Sequence, residues 1–456
     1  MIDQIVGAVE NRTPEAIAAA VSRLIRSGSI ASGDRLPTVR DLARALGVSP
    51  ATVSNAWQAL AGVGLITSRG RAGSFVLKAG TTWMPTHFAE LAGTHVEARL
   101  DLSSGTPDPA LLPSLGAALA RVPARADTSS YLTQRVLPEL ERQLRASWPY
   151  RAESLTILDG ALDAISRSLD VVVRYGDRVL VEEPSFPPFF DLLEQFGVER
   201  VPVQIDAHGM RPDALAAALS TNPAAIILQP RAHNPTGASM TAERAEELVR
   251  VLRAHSHLTD PVIIEDDHSA EISSAPALSL GSWLPHRVLH IRSYAKSHGP
   301  DLRIGALAGP AALVDRIVAR RMLGPGWTSR MLQVILFELL TAPESVAQVR
   351  LARNTYRERQ QALAAALDRH GLEVASADGI NLWLPVRDER SAIVSLAASG
   401  IRVAAGTSFQ PANEPGPAQR PFVRVTAGLV QNDVHEVAAL LAAAALGEGP
   451  AGALRA

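Results

Sequence analysis

Cysteine is absent from the 456 residues, which excludes disulfide staples, thiolate nucleophiles and Cys-ligated metals. Lysine is almost absent: of 44 basic residues, only Lys78 and Lys296 carry a side-chain primary amine. Codon usage in a GC-rich genome, which favours Arg, Ala, Gly and Pro, would account for the scarcity. It still leaves only two candidates for chemistry that needs such an amine. No apolar run is long enough to cross a bilayer, and no basic–apolar–small leader opens the chain. A cytoplasmic location and no membrane partner are expected. The net charge is only -2, so no global field draws the chain onto nucleic acid. DNA binding would need a local basic patch. Internal repeats are also missing.

The length is too great for one ordinary core and predicts two or three domains. Residues 1–78 read as a helical unit ending in a hairpin. Ile17, Val21, Leu24 and Ile25 share one helical face, and Gly28 can end that helix. Thr38, with Asp41 three residues on, caps a second helix whose stripe is Val39, Leu42, Ala43 and Leu46, closed by Gly47. Ser49-Pro50 restarts a third helix, with Val53, Ala56, Trp57 and Leu60 inward. Leu65–Thr67 and Ser74–Val76 read as strands around the basic loop Arg69-Gly70-Arg71-Ala72-Gly73.

Two short helices, a tight turn and a basic hairpin make a winged helix-turn-helix. The second helix of that motif would put Ser49, Ala51, Thr52, Ser54 and Asn55 toward base edges. These side chains are small and polar, and none makes an arginine's bidentate guanine contact. Arg40, Arg69 and Arg71 suit phosphates or a minor groove. The segment is locally basic, with nine Arg or Lys against five Asp or Glu. The alternative is a helical protein-interaction module.

Residues 79–98 read as a linker, with a helical turn at Phe88–Leu91. From 99 to 330, short apolar runs alternate with helical patterns: Leu155–Leu158, Val179–Val181, Ala225–Leu228, Val262–Ile264 and Val288–Ile291. That alternation predicts a parallel α/β sheet. Residues 331–446 predict long helices and strands near Asn381–Leu384 and Phe422–Val425, a smaller C-terminal α+β lobe. Residues 447–456 read as a frayed tail.

In the α/β part, residue types with compatible chemistry fall at successive strand ends. Lys296 follows Val288–Ile291, where open α/β sheets bind ligands. Arg303, seven residues on, can clamp a phosphate. Asp159-Gly160-Ala161-Leu162 opens a helix whose free N–H groups suit the same anion. Phe186 can stack on a ring, and Asn234, in Asn-Pro-Thr-Gly, can reach a phenolic oxygen. Glu265-Asp266-Asp267 supplies a carboxylate for a ring nitrogen. Amine, anion cup and acid together suit pyridoxal phosphate (PLP). Singly each is weak: an acidic cluster at a strand end is often a cap or solvated loop, and a Gly-Ala turn only a turn. No metal site is indicated.

The head resembles the GntR winged-helix family through Gly33-Asp34-Arg35-Leu36-Pro37-Thr38-Val39-Arg40-Asp41-Leu42-Ala43, Gly47-Val48-Ser49, Thr52-Val53 and Gly64-Leu65-Ile66. That resemblance implies DNA contacts from Arg40, Ser49, Thr52, Ser54, Arg69 and Arg71. Pro50 departs from it, where many relatives carry an arginine. Residues 100–445 resemble the fold-type I aminotransferases. The likeness implies Lys296 as the Schiff-base lysine, Asp266 as the pyridine-nitrogen partner, and Gly160, Ala161, Leu162, Ser293 and Arg303 around the phosphate. It further implies Phe186 as the stacking aromatic, Asn234 and His268 near the phenolic oxygen, and Arg424 on a substrate or effector carboxylate near Gly105. Tyr131 would reach the partner subunit's phosphate in a homodimer. Two departures stand out: His268 where relatives usually have tyrosine, and Val136 where a glycine commonly follows the Tyr131 motif.

A GntR-like head on an aminotransferase-like body is similar to the MocR family of regulators. The similarity implies a PLP-responsive transcription regulator that binds a double-stranded DNA operator as a dimer. Its effector would be PLP or an amine or amino-acid adduct, and the Asn234 and Arg303 motifs look closest to members tied to vitamin B6 salvage. The alternative is a working aminotransferase with an accessory DNA-binding domain.

Overall fold

The structure is a computed structural model. It describes all residues except 10, 32, 63–64, 69–72, 77–83, 93–97, 126–129, 131–134, 258–259, 375–376, 411–419 and 448–456. Arg69, Arg71, Tyr131 and Lys78 therefore lie outside the described residues. The chain divides into two compact units. One is Met1–Thr86 with the short segments Arg174–Gly176 and Asp191–Glu199, and the other is the remainder.

In the first unit, helices span Ile2–Ala8, Pro14–Arg26, Val39–Leu46 and Pro50–Gly62. The first of these carries no strong sequence signal, yet Ile5 is fully buried. Capping explains the other starts. Thr13 accepts from the Ala16 amide at 3.2 Å, Thr38 from Asp41 at 3.2 Å and Ser49 from Thr52 at 3.2 Å. Each such cap stabilises a helix by about 1 kcal/mol. Gly47 closes the third helix at φ +66, a left-handed conformation that a β-carbon disfavours. Ile66–Ser68 and Ser74–Val76 pair antiparallel, in the register Ile66–Val76. Arg35 forms an isolated bridge to Phe75, so the turn before the first helix of the motif is tied to the wing. Ile5, Ile17, Val21, Leu42, Val53, Trp57, Ile66 and Val76 belong to one core.

The second unit is built on an eight-stranded sheet. Its order is Ser154–Leu158, Gly305–Gly309, Val288–Ser293, Val262–Asp267, Ala225–Leu228, Arg178–Glu183, Glu199–Asp206 and Gly209–Met210. The four middle strands from Val288–Ser293 to Arg178–Glu183 are parallel, as their apolar runs predict. The sheet is nevertheless mixed. Gly305–Gly309 runs antiparallel to both its neighbours, and Glu199–Asp206 pairs antiparallel with Gly209–Met210. The strand Gly-Ala-Leu-Ala-Gly has too little side chain to read as a strand. Its small residues have a steric cause: a β-carbon on Gly305 would come within 3.2 Å of the Gly160 carbonyl carbon.

A smaller antiparallel sheet, in the order Leu382–Pro385, Phe422–Val425, Ala404–Ala405, packs with helices Pro343–Asp368 and Val434–Leu446. Leu100–Asp101 pairs in parallel with Ile401–Arg402, and Leu102 is buried in the same core as Leu382 and Val425. The segment opening the aminotransferase-like part is thus built into the C-terminal core. Among the described residues, no single helix is long and apolar enough to cross a membrane.

Candidate functional site

Strand register sets the site. Ser293 lies beside Gly305, which lies beside Leu158, so the three strand ends emerge together. Leu158 leads into the Gly160 turn. Gly160 has φ +105 and precedes the helix Ala161–Val172, whose first turn has no side-chain cap. The Arg303 guanidinium covers this turn, 3.4 Å from where a Gly160 β-carbon would stand. Gly160 and Ala161, with Leu162 in the first turn of the helix, are therefore neighbours of Arg303 and Gly305, and Ser293 lies beside Gly305. A helix start beside a cation suits an anion.

One row away, Asp266 lies beside Ile291 in the parallel pair. Its strand ends in three buried carboxylates, and their partners distinguish them. Glu265 accepts from Ser279 Oγ at 2.6 Å and the Leu280 amide at 2.7 Å, and lies 2.7 Å from His290 Nδ1. Asp267 takes both arms of Arg231, at 2.9 and 2.7 Å. Burial works against its charge, yet Arg231 holds its pKa down at about 2. Asp266 is different. Oδ2 accepts from Gln229 Nε2 at 2.8 Å, but Oδ1 has no hydrogen-bond partner although the residue is only 2% exposed. Burial pushes its pKa up to about 7, against the pull of Gln229 and Lys296.

Lys296 lies on the short helix Ala295–His298, and its amine donates to the Gly105 carbonyl. As a residue it is half-buried, but the amine lies deep enough for burial to lower its pKa to about 8. Arg424 adds to that shift and Asp266 opposes it. Arg424, 1% exposed on Phe422–Val425, donates to the Ser103 carbonyl and to Asn234 Oδ1, the latter at 3.3 Å. Its guanidinium sits 4.9 Å from the Phe409 ring centre, and burial lowers its pKa to about 9. Gly105, at φ +61, leaves room for it: a β-carbon there would stand 3.0 Å from Arg424 Nη1. Lys296, Asp266, Asn234, Gly105 and Arg424 thus share one region.

His268 follows the acidic strand. Its Nε2 lies 3.1 Å from Ser269 Oγ and its Nδ1 has no partner. Burial, with Lys296, lowers its pKa to about 3, so the imidazole is neutral near pH 7. Phe186 makes its described ring contact with Phe189, edge-on at 5.5 Å. Arg40, Ser49, Thr52 and Ser54 belong to the other unit. Arg40 and Ser49 are exposed, and Thr52 and Ser54 are half-buried at the start of Pro50–Gly62.

Sequence reasoning missed the support beneath Asp266. Gln229 accepts the Asn234 amide at 2.8 Å while donating to Asp266. Its own amide donates to Glu182 Oε2 at 2.7 Å, and His233 Nε2 lies 3.5 Å from that oxygen. Burial raises Glu182 to about 8 and lowers His233 to about 3. The available signal was position: Gln229 stands at the end of Ala225–Leu228, as Asp266 and Lys296 stand at theirs. Size is no guide here, since a cavity of about 760 Å³ between Arg135, Arg142, Thr156 and Trp327 contains none of these groups.

Residues 13–76 match the family described as bacterial regulatory proteins, gntR family, and residues 97–441 match aminotransferase class I and II. The chain belongs to the MocR-type regulators. It is 36% identical over 406 residues to the vitamin B6 salvage pathway transcriptional repressor PtsJ of Salmonella typhimurium, covering 88% of this chain and 92% of that one. It is also 30% identical to the HTH-type regulator YdcR of Escherichia coli, covering 84% and 89%. Of the solved structures, the α-aminoadipate aminotransferase LysN of Thermus thermophilus aligns at TM-score 0.68 and 21% identity, over 79% of this MocR-type chain and 95% of LysN. That likeness shows a fold-type I aminotransferase domain, and the gntR match shows the winged helix joined to it. The head is a DNA-binding domain, and the aminotransferase fold implies PLP binding.

Proposed function

We propose that this transcription regulator is PLP-responsive, holding PLP through the Lys296 amine and sensing PLP or its adduct with an amine or amino acid. The observation that carries the reading is the free, buried Oδ1 of Asp266 in the same region as the Lys296 amine. A buried carboxylate oxygen without a partner is costly unless a cation or donor meets it. A pyridinium nitrogen is such a donor. When bound, PLP supplies an electron-withdrawing ring and an aldehyde carbon that reacts with amines.

The chain's residues divide the work. Gly160, Ala161, Leu162, Ser293 and Arg303 hold the phosphate. Asp266, steadied by Gln229, keeps a proton on the ring nitrogen. Lys296, with its lowered pKa, offers a neutral amine more readily than a surface lysine does. Neutral His268 offers its Nδ1 side to the phenolic oxygen and adds no charge there. Phe186 covers the ring, and Tyr131 reaches across a homodimer. Two heads, each reading through Arg40, Ser49, Thr52, Ser54, Arg69 and Arg71, then meet paired half-sites of one operator. Likeness to the Salmonella B6 salvage repressor supports control of vitamin B6 genes.

The test is visible absorbance of the purified full-length protein. A yellow protein bleached by borohydride, and colourless as Lys296→Ala, is expected; an equally coloured Lys296→Ala variant sinks the assignment. A gel shift on the DNA upstream of its own gene tests the head, and no shift at low salt would count against it.

Arg424 favours a second reading, an aminotransferase with an accessory DNA-binding domain. A buried cation near Lys296 is a ready anchor for an amino-acid carboxylate. Steady turnover of an amino acid with a keto acid would establish that reading.

A further inference from the structure

Behind the lysine segment lies a second cavity, of about 270 Å³, bounded by Arg292, Tyr294, His298, Leu339, Val349 and Arg350. Two buried donors on its wall are unsatisfied. Tyr294 is 0% exposed and its hydroxyl has no hydrogen-bond partner. Arg292 is 2% exposed; its two Nη atoms donate to Ser147 Oγ at 2.8 Å and Ser147 O at 2.6 Å, but its Nε has no partner. The guanidinium lies against the hydroxyl, but the pair lacks hydrogen-bond geometry.

Of the other wall groups, His298, Arg353 and Glu271 are already engaged. His298 Nδ1 lies 2.8 Å from Ser297 Oγ, and the ring packs edge-on to Tyr294 at 5.6 Å. Arg353 pairs with Glu271 at 3.5 Å. Arg350 is exposed and adds a positive charge to the lining. Leu339 and Val349 give the cavity a buried apolar side.

Two unpaired donors, a lining in which Arg292, Arg350 and Arg353 outnumber Glu271, and an apolar wall select one ligand chemistry. We propose that this cavity binds a small carboxylate with a short apolar tail. The carboxylate accepts from the Tyr294 hydroxyl and Arg292 Nε, while the tail lies along Leu339 and Val349. Tyr294 is two residues from Lys296, so occupancy bears on the segment that carries the lysine. The proposal does not depend on what Lys296 binds.

Butyrate is the probe, and Trp148 is a built-in reporter, because the Arg292 guanidinium lies 4.6 Å from its ring centre. Butyrate added to the full-length protein should change tryptophan emission saturably, and Trp148→Phe should abolish that change. Tyr294→Phe removes only the hydroxyl and should weaken binding about tenfold, the scale of one hydrogen bond to a charged group. Arg350→Gln alters an exposed residue and should weaken binding severalfold, which keeps the test decisive if Tyr294→Phe folds poorly. Three results would overturn the proposal: no saturable change in the wild type, an undiminished change in Trp148→Phe, or equal response to inorganic phosphate and butyrate.

Discussion

Asp266 is a carboxylate held where its charge is unwelcome, and that has a pH signature. Its folded pKa, about 7, lies above the unfolded value of roughly 4. The cofactor-free protein therefore gains stability from a protonated Asp266 below pH 4 and loses it as pH rises through 7. Wild-type protein without PLP should be less stable at pH 8 than Asp266→Asn, by roughly 1–3 kcal/mol, and the gap should narrow at pH 5 and close below about pH 4. Glu182, raised to about 8, leaves the variant some residual slope in the same direction. If Asp266 is the charged partner of the ring nitrogen, the same substitution should weaken PLP retention at least about tenfold. Melting curves at both pH values and PLP titration by absorbance check the two halves. Identical pH dependence in both proteins would mean that Asp266 is not the strained group. None of this strain is visible in the sequence, where Glu265, Asp266 and Asp267 are three equal acids. Only their neighbours separate them: Ser279 and His290 for the first, Arg231 for the third, an unpaired oxygen for the second.

At the scale of elements, the head's caps and the body's strand ends were legible because their signals are local. Thr38, Gly47 and Ser49-Pro50 act on residues within four positions of themselves, so the chain alone places the helices Val39–Leu46 and Pro50–Gly62. Arg40 is exposed on the first of these, next to its cap. Arg40→Ala should weaken binding to operator and unrelated DNA alike and reduce the slope of log affinity against log salt by about 1. Fluorescence anisotropy at several salt concentrations measures that slope. Loss confined to the operator would instead make Arg40 a base reader. Non-local signals were harder to read. Gly305–Gly309 is a strand because Val288–Ser293 and Ser154–Leu158 flank it, not because Gly-Ala-Leu-Ala-Gly favours one. Gln229 matters because parallel pairing sets its strand beside Val262–Asp267, and a glutamine after an apolar run announces nothing by itself.

Over the whole molecule, the cores divide by function. The head's cluster runs from Ile5 to Val76 and contains no residue of the aminotransferase domain. Leu111, Ile272, Ala352, Tyr356 and Ile380 form a core that draws the large and small lobes together. A head with its own core should unfold in its own transition, and calorimetry of the full-length protein should resolve two. PLP should raise only the transition of the aminotransferase domain, by about 2.7 kcal/mol when free PLP is 100 times its dissociation constant. Thr38→Ala should lower only the other transition, by about 1 kcal/mol. Lys296→Ala should remove most of the PLP response and leave the head's transition in place. If PLP instead moved both transitions together, the cofactor would be stabilising the head as well. Ligand binding in the body would then be coupled to the stability of the DNA reader itself, rather than only to its DNA binding.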